Sequence, residues 1–249
     1  MRISAIISIL FAYLIFGTFS NIYATNIDSL KNQTTFDWHP KEVLIATGLI
    51  TSGLILNISE HNDLFFPKRS NIEKQETPLD DMVQYSPIPA LFVFDAFAKE
   101  KNNLLDQAIV MSIAYGLTAL EVQLIKHNYN SIRPDGAPNS FPSGHTACAF
   151  VGAHIIYREF KDTNKYLAYS GYAIGALTAG LRIFHNRHWV CDVLAGAGLG
   201  ILSAEISYMM YFPLKNYFSQ KSGKNASANT SVYPAVYPDG YGLNFAYYF

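Results

Sequence analysis

The sequence predicts an all-α protein, an up-and-down helical bundle of five to six core helices with its active site at one end. Three observations carry that prediction. Half of the residues are hydrophobic and only 15% are charged, well below the roughly 25% of an average soluble protein. No stretch sustains the apolar/polar alternation of a half-buried strand. The polar clusters that interrupt the apolar body fall where the helices are expected to begin and end.

The composition also excludes several classes. Eighteen Lys and Arg stand against 19 Asp and Glu, so there is no basic footprint for a nucleic acid. Two cysteines cannot build a disulfide framework, and no Cys-x-x-Cys zinc ribbon is present. A chain this apolar and aromatic has a large buried core or touches a membrane.

The elements follow in chain order. Met1 and Arg2 precede an apolar run to Phe19, and no further charge comes before Asp28. With Ile22 and Ala24 closing the run, residues 1–24 read as a signal peptide or anchor. Cleavage is favoured because 25–40 is polar, like a mature N-terminus. A helical domain follows over 25–218, with helices expected at 42–58, 88–99, 104–126, 143–160, 166–184 and 188–212. Residues 60–86 are polar and contain proline, and read as a long loop. Residues 219–231, SQKSGKNASANTS, have the composition of a flexible linker. The C-terminal tail, 232–249, carries Pro238-Asp239-Gly240 between two aromatic runs, so a small hairpin is expected.

Whether these helices span a bilayer is open at this level. The uncharged runs 43–59, 166–181 and 107–120 hold 17, 16 and 14 residues, against about 20 for a span. Lys99, Lys101, Arg158, Lys161 and Lys165 gather at the end opposite the polar clusters, which the positive-inside rule places in the cytoplasm. A cleaved leader followed by six full spans contradicts that placement. The conflict disappears if 88–99 does not cross, or if no helix spans. Gly171/Gly175 and Gly196/Gly200 offer small faces for close helix packing.

Three polar clusters carry chemistry. Lys126 is followed after six residues by Arg133-Pro134. Phe141-Pro142-Ser143-Gly144-His145 comes next. Arg182 is followed after five residues by His188, and after three more by Asp192. In an up-and-down bundle all three lie at the same end. The set suits a phosphoryl group. Lys126, Arg133 and Arg182 can neutralise its oxygens. Ser143 and Gly144 sit at a helix start, where free N–H groups favour an anion. Asp192 can fix the tautomer of His188, leaving the second nitrogen as a nucleophile. His145 is then available as a general acid. The competing readings are local ones. His185, His188, Cys191 and Asp192 could suggest zinc. Gly196-x-Gly198-x-Gly200 looks like part of a dinucleotide loop but lies within an expected helix, where packing is the better reading. His154 reads as a core histidine, and Cys148 and Cys191 as small core residues rather than a bridge.

Lys-x6-Arg-Pro, Pro-Ser-Gly-His and Arg-x5-His-x3-Asp, in that order, resemble the superfamily of type 2 phosphatidic acid phosphatases, bacterial non-specific acid phosphatases and vanadium haloperoxidases. The resemblance runs from about residue 80 to 212. It implies an all-α fold and a phosphatase that needs no metal and no cofactor. His188 would attack phosphorus, Asp192 support it, and His145 protonate the leaving group, while Lys126, Arg133, Ser143, Gly144 and Arg182 hold phosphate. The segments DDMVQYSP and RPDGAPNSFPSGHTA look like exported bacterial members, including lipid A phosphatases. The expected protein is an extracytoplasmic, membrane-associated enzyme, periplasmic if bacterial. Its expected partner is a phosphomonoester or diphosphate, with a lipid-linked one favoured. The alternatives are a non-specific periplasmic acid phosphatase on soluble esters, a vanadium-dependent haloperoxidase, and a non-catalytic phosphate- or lipid-binding protein.

Overall fold

A computed structural model describes residues 39–58, 78–98, 103–221, 230–237 and 240–247. The expected leader and most of the 60–86 loop lie outside the described residues. Seven helices occur among the described residues: α1 (Pro40–Ile58), α2 (Pro78–Val83), α3 (Pro87–Phe97), α4 (Leu104–Asn128), α5 (Gly144–Phe160), α6 (Lys165–Phe184) and α7 (Val190–Lys221). A hairpin of β1 (Thr230–Tyr237) and β2 (Gly240–Tyr247) follows, with Tyr237 paired to Gly240 beside the turn. The all-α body and the tail hairpin are as expected, and the hairpin lies against α3 and α4.

Side chains set the helix starts. Asn103 accepts the N–H of Leu105 at 3.1 Å, and Asn164 accepts those of Tyr166 and Leu167 at 3.0 and 3.3 Å. Three boundaries differ from the sequence reading. α2 forms inside the expected loop, with Pro78 at its first position, where the missing N–H costs nothing. α7 starts at Val190, so His188 precedes the helix it was expected to open. Pro213 does not end α7. Lys215, beyond it, binds Asp106 of α4 at 2.6 Å and holds the continuation in place. Residues 219–221 are therefore helix and 230–231 strand. The rest of the expected 219–231 linker, 222–229, lies outside the described residues.

α7 is the central element, antiparallel to α1 and parallel to α5. A Cβ on Gly198 would lie 2.5 Å from the Ala46 carbonyl oxygen of α1, and one on Gly196 2.5 Å from that of Ser143. A Cβ on Gly171 of α6 would come within 2.9 Å of the Ala153 oxygen of α5. These glycines let backbones touch. The Gly-x-Gly-x-Gly run is a packing surface, not a dinucleotide loop. Around it Ala46, Ile50, Ala147, Ala195, Leu199 and Leu202 are buried together.

α1, α4 and the Val190–Asn216 part of α7 are long and apolar enough to cross a membrane. Uncharged runs understated them because polar residues do not end these helices; they are buried between them. Ser203 donates to Glu121 at 3.1 Å. Glu205 of α7 accepts from Arg158 at 2.7 Å and meets His154 Nε2 at 2.6 Å, and Nδ1 of His154 meets the Tyr172 hydroxyl at 2.6 Å. His154 is thus a fully partnered core residue. The outer face of α1 is left apolar, with Leu44, Ile45 and Ile55 exposed.

The direction of α1 is fixed at both ends. Near its start, Glu42 accepts from Tyr157 of α5 at 3.3 Å, and His39 contacts Lys161. Near its finish, Asn57 contacts the Tyr129 hydroxyl and lies 3.5 Å from Cys191. The ends of α1 and α4 therefore share one face of the bundle. This overturns the topology in which α1 and α4 both cross while 88–99 does not, because that would put those ends on opposite faces.

Candidate active site

The face where α4 ends is built by the 129–141 connection. Its turn is tight. Arg133 N–H donates to the Ala137 oxygen at 2.8 Å, Gly136 adopts φ 85°, and Asp135 accepts the Ala137 N–H at 2.9 Å. Two contacts tie the turn to the α6–α7 connection. Arg187 pairs with Asp135 at 3.1 Å, and the Trp189 indole donates to the Ile132 oxygen at 2.8 Å. Arg133 is thereby presented where its charge, like that of Arg182 at the end of α6, acts on His188. Its Nε is buried with no hydrogen-bond partner among the described residues.

Asp192 is the hub. It is fully buried, and its Oδ2 receives the Trp189 backbone N–H at 2.8 Å, the Ser140 hydroxyl, and His188 Nδ1 at 3.4 Å. The Trp189 bond is half of a capping box and starts α7 at Val190. Acceptance from Nδ1 leaves the lone pair of His188 on Nε2. Burial, aided by the charges of Arg133 and Arg182 and opposed by Asp192, holds His188 down to about 4. The ring is neutral at ordinary pH.

The cations converge on this couple. The charges of Arg133, Asp192 and Arg182 all act on Lys126 in the last turn of α4. Ser143 is completely buried at the N-cap of α5, its hydroxyl 3.0 Å from that of Thr146. Its backbone N–H donates to the Asp192 carbonyl at 3.0 Å, which locks the start of α5 to α7. Gly144 follows as the first residue of α5. His145 comes next, and its Nε2 lies 2.6 Å from Oδ1 of Asp81 on α2. All eight residues read from the motifs, Lys126, Arg133, Ser143, Gly144, His145, Arg182, His188 and Asp192, lie at this one end.

Four further contributors were not read from the sequence. Ser140 and Trp189 hold Asp192, Arg187 holds the 129–141 turn, and Asp81 meets His145. Ser140 stands one residue before the Phe-Pro-Ser-Gly-His run, and Asp81 lies in the quoted DDMVQYSP segment. The zinc reading finds no support, because His185 closes α6 with its ring against Phe184, 5.5 Å between centroids. Among the described residues no three His, Cys, Asp or Glu gather as a metal-holding group. Cys148 and Cys191 are free thiols.

Residues 107–216, which hold all three motifs, match the PAP2 superfamily. The chain is 33% identical over 168 residues to a lipid A 1-phosphatase of Porphyromonas gingivalis, covering 66% of this chain and 36% of that one. It is 32% identical over 107 residues to phosphatidylglycerophosphatase B of Bacillus subtilis, covering 38% of this chain and 53% of that one. The chain thus matches about a third to a half of the length of these curated relatives. Two solved structures are also similar. LpxE of Aquifex aeolicus aligns at 21% identity and TM-score 0.44, over 60% of this chain and 93% of that one. A PAP2 type phosphatidylglycerolphosphate phosphatase from Bacillus subtilis aligns at 18% identity and TM-score 0.48, over 74% and 98%.

Proposed function

We propose that this chain is a phosphoric ester hydrolase. It removes phosphate from a phosphomonoester or diphosphate, lipid-linked by preference, through a phosphohistidine on His188 and without a metal. One observation carries the reading: three motifs distant in sequence meet around a buried His188–Asp192 couple, beside a helix N-terminus and three cations.

In the first step Nε2 of His188 attacks phosphorus and the bond to the leaving oxygen breaks. His145 gives its proton to that oxygen. In the second step His145 takes a proton from water as the water oxygen bonds to phosphorus and the P–N bond breaks. Phosphate leaves, and both rings regain their starting protonation. Lys126, Arg133, Arg182 and the N–H groups at the start of α5 hold the oxygens whose charge grows in the transition state. Fixed cations thereby take the part that metal ions play in other phosphatases.

The lipid preference is supported by the apolar lengths of α1, α4 and α7 and by the lipid phosphatases among the relatives. In this reading the bundle is membrane-associated with its site outside the cytoplasm. The test is turnover of p-nitrophenyl phosphate, an alkyl phosphate, lipid A, phosphatidate and a prenyl diphosphate by the purified chain. Activity should survive EDTA, yield to vanadate, a mimic of the five-coordinate transition state, and vanish in His188→Ala. Loss on chelation with recovery on zinc would sink the reading.

A further inference from the structure

Of the four contributors not read from the motifs, Asp81 alone lies outside residues 126–192, the span of the three motifs. It lies on α2, a helix of six residues set against α5 and α6, and its Oδ1 approaches His145 Nε2 at 2.6 Å. The pair repeats on the acid side what Asp192 and His188 form on the nucleophile side. The two couples differ in setting. Asp192 and His188 are buried, whereas the Asp81 side chain is 73% exposed and that of His145 28%. The exposed couple can exchange protons with water; the buried one cannot do so freely.

We infer that Asp81 is a positioning residue for His145: it orients the ring and favours its protonated form, so that the acid stays charged at a pH where a free imidazole would have lost its proton. This rests on the reading of His145 as general acid. Other charges near the couple oppose or modulate it. Arg182 from α6 and Arg187 from the α6–α7 connection act on Asp81, which together with His145 they hold ionised, below the usual carboxylate range. The same two cations disfavour a protonated His145, so the carboxylate offsets them. Tyr85, just beyond α2, and Cys148 on α5 also border the couple but are neutral at ordinary pH. α4 and α7 bring Lys126, His188 and Asp192 to the same end of the bundle.

An exposed pair supports only a moderate effect, a factor of about five or less. Asp81→Asn should therefore lower kcat/KM for an alkyl phosphate by about threefold to fivefold, and move the alkaline limb of its pH profile down by about half a unit. p-Nitrophenyl phosphate, whose leaving group needs no proton, should lose much less. Asp81→Glu should restore most of the limb. Equal losses on both esters with an unmoved limb would show that α2 merely braces the fold, and overturn the inference. A rise in rate on both esters would overturn it too, because the carboxylate would then be blocking the site. His145→Ala is measured alongside. If it keeps the leaving-group signature while Asp81→Asn shows none, the inference fails and the mechanism stands. If His145→Ala itself lacks that signature, the mechanism fails.

Discussion

Gly196→Ala adds one methyl group where α7 touches the start of α5. The new Cβ would sit 2.5 Å from the Ser143 carbonyl oxygen, whereas carbon–oxygen contacts settle at about 3.3 Å or more. The two backbones must part by about 0.8 Å. The oxygen cannot turn aside, because it accepts the Ala147 N–H at 3.0 Å as the first bond of α5. Nor can the start of α5 slide freely, because Ser143 N–H is held by Asp192 at 3.0 Å. The displacement therefore falls between the phosphate-binding helix start and the His188–Asp192 couple. A misplacement near 1 Å costs about 10²-fold in rate, and overpacking a core costs about 1–3 kcal/mol. We expect kcat/KM on p-nitrophenyl phosphate to fall about 30- to 100-fold while the protein, purified in detergent, still unfolds cooperatively a few degrees lower. Gly48→Ala on α1 is the control, since nothing lies within 4 Å of a Cβ there, and it should match the unmodified chain. Unchanged kcat/KM in folded Gly196→Ala would refute the account of how α5 and α7 set the site.

Replacing His145 by Ala should cost an alkyl phosphate roughly 10²–10⁴-fold and p-nitrophenyl phosphate far less, while His188→Ala abolishes both. The inverse pattern would exchange their roles. Asp192→Asn should fall between the two, since the ring is still held but its charge support is gone. His188, held to about 4 by burial, should stay neutral at pH 6 in a ring-nitrogen NMR titration; lowering the pH through 4 protonates Nε2 and removes the nucleophile. A midpoint at the ordinary 6.5 would contradict its burial. Arg158→Met strips Glu205 of its 2.7 Å partner and should destabilise the protein by about 3–5 kcal/mol in chemical denaturation, with little change in KM. A loss under 1 kcal/mol would mean that His154 alone satisfies that carboxylate.

The helices were legible because their apolar runs are long and are bounded by capping residues such as Asn103, Ser143 and Asn164. The site was legible because bundle topology sends the ends of α4 and α6 and the starts of α5 and α7 to one face. What escaped was whatever depends on a partner far away in sequence. Six residues ending at Val83 look like loop until Asp81 is seen against His145. Glu121 cuts short the uncharged run 107–120, and it and Glu205 become core residues only once Ser203, Arg158 and His154 are placed beside them. Pro213 looks like a stop, and is tolerated because Lys215 is anchored to Asp106. The start of α7 slipped by two residues because the Asp192 side chain reaches back to the Trp189 N–H, a bond that spacing alone does not announce.

The course of α1 makes export a parity problem. The chain enters the bundle at His39, on the face away from His188, and α1 brings it to the catalytic face at Asn57. A leader cut after Ala24 would deliver residue 25 outside, and the short polar stretch before His39 cannot recross a bilayer. Three statements are then bound together: the leader is cut, α1 crosses completely, and the site faces outward. Any two of them exclude the third. Sequencing the mature N-terminus therefore reports on depth in the membrane. With an outward site, a chain starting at Thr25 means a bundle resting in the outer leaflet or beside it, whereas full crossing by α1 requires a retained leader that leaves residue 25 inside.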